Sequence, residues 1–167
     1  MIHILVGNIA TIKGADVIVN SANKTLRTGS GVSGAIHKLG GKDIAEECKV
    51  KYPNGIATCQ VAVTKAWKLD ALFIFHILAP KYRFDTNPLD MLERCYSNAL
   101  DKAKEYECES IAFPLLGAGI HGFSDIDAIN TAIKACSDSK LNIVLVVANK
   151  SIAEQAKKCY RDWDIFS

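Results

Sequence analysis

Short runs rich in valine and isoleucine recur along this 167-residue chain, separated by stretches whose apolar residues fall at three- and four-residue steps. A continuous apolar run of strand length is what a strand buried on both faces requires, and amphipathic helices between such runs supply its covering layers. The alternation predicts an α/β fold, a sheet with helices on both sides. Strands are expected at Ile2 to Val6, Val17 to Asn20, Cys59 to Thr64, Leu72 to Leu78, Ser110 to Phe113 and Ile143 to Ala148. The clearest helix carries Leu89, Leu92, Tyr96, Ala99, Ala103 and Tyr106 on one face. Asn87 and Pro88 before it read as an N-cap and a first-turn proline. Further helices are expected at Gly31 to Leu39, Lys42 to Lys51, Ile126 to Ser137 and Ser151 to Tyr160.

The length suits one domain, residues 1–167. No apolar run approaches the roughly 18 residues of a membrane span, and the opening MIHILVG lacks the basic start of a signal peptide, so a cytoplasmic location is expected and a membrane partner is not. Six cysteines without a C-x-x-C pair point to reduced thiols, with neither a zinc site nor a dithiol motif. A net charge of +2, with basic residues spread out, argues against a nucleic-acid binder.

Two glycine-rich segments stand out: TGSGVSGAIHKLGG from Thr28 to Gly41, and LLGAGIHGF from Leu115 to Phe123. Gly29, Gly31 and Gly34 satisfy G-x-G-x-x-G and lead into a helical stretch, whose free N–H groups attract an anion such as pyrophosphate. A dinucleotide-binding unit, however, needs its glycines directly after a strand, and SANKTLRT intervenes. The second segment follows a predicted strand and precedes a helix. Two such loops at neighbouring strand ends would clamp one diphosphate from both sides. Asn23, just past the strand DVIVN, suits sugar hydroxyls, although taken by itself a turn in which it bonds its own backbone is the commoner fate of such an asparagine. His76 reads as structural, inside a buried strand pattern.

Together these motifs resemble the macro domain family. VGNIATIKGADVIVNSANKTLRTGSGVSGAIHKLGG is similar to the family's GDIT, VNAAN and GGGV-x-GAIH segments. FHILAP and FPLLGAGIHGF are similar to its later strand and its second loop. The resemblance implies a three-layer α/β/α fold with a mixed central sheet, and a cleft for ADP-ribose. On that footing Asn8 and Ile9 meet the adenine and Asn23 holds the distal ribose. The backbone of Gly31, Val32 and Ser33 faces the diphosphate from one side, and that of Gly117, Ala118, Gly119, Ile120 and His121 from the other. Gly29, Phe123 and Asn149 complete the expected contacts, and no cofactor or metal is needed.

Departures bear on activity. Asn8 stands where the family commonly has aspartate, and Ala148 and Asn149 where many relatives place an aromatic on the adenine. Ser33 replaces an aspartate associated with hydrolysis, and a serine hydroxyl is a poor base without a neighbour to take its proton. His37, four residues on, shares its helical face, so Asn23, Ser33 and His37 form the candidate catalytic set. Hydrolysis of mono-ADP-ribosyl esters or of ADP-ribose 1″-phosphate is expected, with a non-catalytic reader of ADP-ribose or its O-acetyl ester as the alternative. The partner implied is ADP-ribose or a mono-ADP-ribosylated protein, bound by a monomer.

Overall fold

The computed structural model describes residues 2–159 and 164–166. A seven-stranded sheet runs in the order β3-β4-β2-β5-β6-β1-β7. Its strands are β1 (Ile2–Val6), β2 (Val17–Ser21), β3 (Val61–Lys65), β4 (Phe73–Ile77), β5 (Ser110–Pro114), β6 (Asn142–Val147) and β7 (Asp164–Phe166). All neighbours are parallel except β3 and β4, which makes the sheet mixed. The helices are α1 (Gly31–Gly40), α2 (Asp43–Lys51), α3 (Pro88–Glu105), α4 (Asp125–Cys136) and α5 (Lys150–Cys159).

Successive strand residues face opposite ways, so one strand feeds two cores. Val17, Val19, Phe75, Ile111 and Phe113 join Leu92, Tyr96, Ile129 and Ala153 under α3, α4 and α5. Ile18, Ile74, Ala112 and Val146 join Ile36, Ile44 and Cys48 under α1 and α2. The three predicted layers are present, with boundaries within about two residues of those read from the chain. Among the described residues no helix is long and apolar enough to cross a membrane.

Local signals explain some of the element ends. Ser124 caps α4 by accepting from the Asp127 N–H at 3.1 Å. Pro88 occupies the first turn of α3, as expected, but Asn87 makes no side-chain cap: its backbone is left-handed, φ 50°, and its carbonyl instead accepts from the Met91 N–H. The predicted apolar face of α3 holds through its middle, whereas Leu89 and Tyr106 at its ends are exposed. β7 and two short 3-10 turns, Ile9–Thr11 and Gly119–His121, have no counterpart in the sequence pattern. Tyr160, the expected end of the last helix, lies outside the described residues.

The edge strand β3 is finished by side chains. The Val63 N–H donates to the Tyr52 hydroxyl at 2.9 Å, Lys51 Nζ donates to the Val63 carbonyl at 3.0 Å, and the Lys65 N–H donates to Glu47 Oε1 at 3.1 Å.

Candidate ligand cleft

The carboxyl ends of β1, β2, β5 and β6 open on a cleft of about 720 Å³. This is the edge at which parallel α/β sheets hold ligands, because strand-to-helix loops and helix N-termini gather there. Gly7, Asn8 and Ile9 enter it after β1, Ser21 to Asn23 after β2, and Val147 and Ala148 after β6.

The first glycine segment forms the start of α1. Ser30 takes the N-cap position without a side-chain bond, so the N–H groups of Gly31, Val32 and Ser33 keep no partner from the cap and face the cleft wall. Gly34 lets the chain turn this tightly: a Cβ there would lie 2.8 Å from the Gly29 carbonyl oxygen. A Cβ at Gly29 would lie 3.6 Å from Asn23 Nδ2 and 3.8 Å from Ser33 Oγ, so both side chains lie beside Gly29. Ser33 Oγ is buried and has no hydrogen-bond partner.

The second segment is anchored from beneath. The Leu116 N–H donates to the Tyr96 hydroxyl at 3.0 Å, and the Phe123 N–H to the Gly117 carbonyl at 3.1 Å. Gly117, at φ 86°, lies so close to the Phe123 ring that a Cβ would come within 2.8 Å of it. Above this anchor Ala118 to His121 line the cleft, and among the described residues no protein acceptor takes the N–H of Ala118, Gly119 or Ile120. His121 Nδ1 is buried without a partner as well. Two buried polar atoms, Ser33 Oγ and His121 Nδ1, and the amides of the 118–120 segment thus turn unused hydrogen-bonding capacity to one cleft.

Asn23 holds its own turn. Its Nδ2 donates to the Arg27 carbonyl at 2.8 Å, and its Oδ1 accepts from the Arg27 N–H at 3.0 Å and from the Thr25 hydroxyl at 3.1 Å. Asn8 Oδ1 accepts from the Ala10 N–H at 2.9 Å, which leaves its amide hydrogens for a ligand.

Several expected contacts fall elsewhere. Phe123 is buried beneath the loop, edge-on to Tyr82, and neither it nor Gly117 lines the cleft; both anchor the residues that do. Asn149 caps α5 by accepting from the Ile152 N–H at 3.0 Å, and Ile152 itself lines the cleft beside Ala148. An aliphatic wall thus stands beside Ala148, where the sequence already lacked an aromatic. His37 does not line the cleft; it is buried against His76, ring centroids 6.5 Å apart, and burial lowers its pKa. With Ser33 Oγ unpartnered, no Ser33–His37 couple exists. Sequence reasoning missed Gly7, Ala35, Pro114, Val146 and Ile152, apolar or featureless residues that read as core or turn.

His76 is structural, as expected. Asn20 Nδ2 donates to its Nδ1 at 3.0 Å, so its Nε2 carries the proton and meets the Thr64 hydroxyl at 2.9 Å. Burial, helped by His37, pushes its pKa down to about 3.

A family model described as Macro domain matches residues 19–132. The O-acetyl-ADP-ribose deacetylase of Escherichia fergusonii is 38% identical over 140 residues, covering 82% of this chain and 78% of that protein. An Oceanobacillus iheyensis macrodomain mutant solved with ADPR is similar at a TM-score of 0.87 and 26% identity, over 95% of this chain and 90% of that one. The Trypanosoma brucei macrodomain in complex with ADP-ribose gives a TM-score of 0.84 at 26% identity, over 95% of this chain and 68% of that one.

Proposed function

From a chain that belongs to the macro domain family, we propose that the cleft binds ADP-ribose and slowly hydrolyses an ester at its distal ribose. The observation that carries this reading is the convergence of two chain segments, far apart in sequence, whose unpartnered N–H groups and side-chain atoms face one space. Backbone donors at a helix start and in a glycine loop suit a diphosphate, and charge-assisted bonds of this kind are strong without a metal. Ile9, Val147 and Ile152 offer the base an apolar wall, and the Asn23 end of the cleft takes the distal ribose.

An ester is the favoured substrate because the E. fergusonii relative is named for removing an O-acetyl group from ADP-ribose. Water adds to the ester carbonyl and its C–O bond breaks, giving ADP-ribose and a carboxylic acid. No aspartate or glutamate lines the cleft, and His37 stands outside it. Ser33 Oγ has no hydrogen-bond partner to take its proton, so Ser33 is no activated nucleophile, and the rate rests on orientation and on oriented dipoles. The unpartnered Ser33 hydroxyl, with Asn23 tied into its turn, supports a second reading: a reader that binds without turnover.

Calorimetric titration with ADP-ribose tests binding, and incubation with an auto-ADP-ribosylated protein tests release. Release that falls at least roughly tenfold in Asn23→Ala, with ADP-ribose still bound, supports the hydrolase. Binding without any release leaves the reader, and no binding removes both.

A further inference from the structure

A second hollow of about 720 Å³ lies next to the cleft, and the two share one wall. That wall is the turn from Asn23 to Gly29: its ends line the cleft, while Thr25 to Thr28 between them line the hollow. The turn is held from several sides. Asn23 bonds both the N–H and the carbonyl of Arg27, and the Ile56 N–H donates to the Lys24 carbonyl at 2.9 Å. Leu26 sits at φ 59° with its side chain buried, a left-handed backbone that a leucine keeps only when its surroundings fix it.

The far side of the hollow is α2 and the bend after it, through Lys49 and Tyr52. Tyr52 is pinned by the Val63 N–H on its hydroxyl. Arg27 and Lys49 are both exposed, and neither has an ion-pair partner among the described residues. No carboxylate lines the hollow. Glu47, on the same helix, is committed to Lys51, to the Lys65 N–H and to the Trp67 indole. Two unmatched cations in a concave, preformed wall form a site for negative charge.

We propose that this hollow receives the polypeptide flank of an ADP-ribosylated protein and favours aspartate or glutamate within about three residues of the modified side chain, roughly 10 Å of extended chain. The inference rests on the cleft reading given above, which puts the distal ribose at the Asn23 end, beside the turn that divides the two spaces. The free nucleotide does not need the hollow; the carrier chain does. Arg27 and Lys49 then set substrate preference without touching the ADP-ribose.

The test compares two synthetic peptides that carry ADP-ribose through a hydrolysis-resistant linkage and differ only in glutamate or lysine flanks, with free ADP-ribose alongside. Wild-type protein is expected to bind the acidic peptide roughly three- to tenfold more tightly than the basic one, and added salt to shrink the ratio. Lys49→Glu is expected to reduce the ratio while free ADP-ribose binds within about twofold of wild type, and Arg27→Glu with Lys49→Glu to invert it. Equal affinity for the two peptides, with free ADP-ribose bound, overturns the hollow and leaves the cleft standing. A preference that survives the double substitution overturns it too. Failure of wild-type protein to bind free ADP-ribose overturns both.

Discussion

The two ends of the sheet treat their polar groups in opposite ways. Where β2, β4 and β5 begin, Asp16 gathers the chain: its carboxylate accepts from the Glu109 N–H at 2.8 Å and the Ser110 N–H at 3.3 Å, and its own N–H donates to Ser110 Oγ at 2.8 Å. The Asp16 carbonyl takes the N–H groups of Leu72 and Phe73. At the carboxyl end, Ser33 Oγ and His121 Nδ1 are buried without partners, and the 118–120 amides await an acceptor. The closed end secures strand starts; the open end keeps its hydrogen-bonding capacity for a ligand. Buried polar groups left unmatched cost stability, and two of them lie together at this end of the sheet.

The largest expected effect strikes the buried interior. His76 bridges Asn20 and Thr64, with His37 on α1 and Cys48 on α2 as its titratable neighbours. Its folded-state pKa is lowered from 6.5 to about 3, so the neutral ring's contribution is whole above about pH 6.5 and is lost as pH falls towards 3. The slope is about 1.4 kcal/mol per pH unit, roughly 3 kcal/mol by pH 4. Urea midpoints against pH are expected to fall more steeply for wild type than for His76→Gln, and parallel curves refute the assignment.

At the closed end, Asp16→Ala is expected to remove about 2 kcal/mol of stability while ADP-ribose affinity at 25 °C stays unchanged. Weakened binding there breaks the division between the ends. At the open end, Gly119→Glu sets a carboxylate in the diphosphate loop and is expected to bind ADP-ribose roughly tenfold less tightly than Gly119→Ala. The alanine variant shares the strain of a side chain at φ 73°, so the difference between the two isolates charge, and equal affinities displace the diphosphate from this loop. The smallest effect is the sharpest: Ser33→Ala deletes a buried, unpartnered hydroxyl and is expected to stabilise the free protein by about 1 kcal/mol while weakening ADP-ribose binding a few-fold. Loss of stability in the free variant shows that the hydroxyl serves the fold.

Much of this was legible in the residues. Valine- and isoleucine-rich runs marked six strands because both faces of the sheet are covered, and glycine clusters marked the two loops because positive φ and close backbone approach exclude side chains. β7 was invisible, since three residues carry no period. Within the cleft, Ile152 and Val146 looked like core, because an apolar wall facing a ligand has the same pattern as one facing protein. Phe123 and Asn149 misled for the converse reason: an aromatic that roots a loop and an amide that caps a helix use residue types that also serve recognition. The Asn23 turn was the alternative weighed from the sequence, and the structure shows that turn at the rim of the cleft.

The side chains that α2 and Tyr52 lay along the outer edge of β3 have a consequence for how the protein behaves in a crowd. An open sheet border invites strands of other molecules to join it. Here the Val63 N–H, the Val63 carbonyl and the Lys65 N–H are already taken, so an incoming strand must break three bonds to pair along the middle of the border. Concentrated protein therefore meets a resistance to sheet-to-sheet aggregation on this border, supplied by the helix beside it.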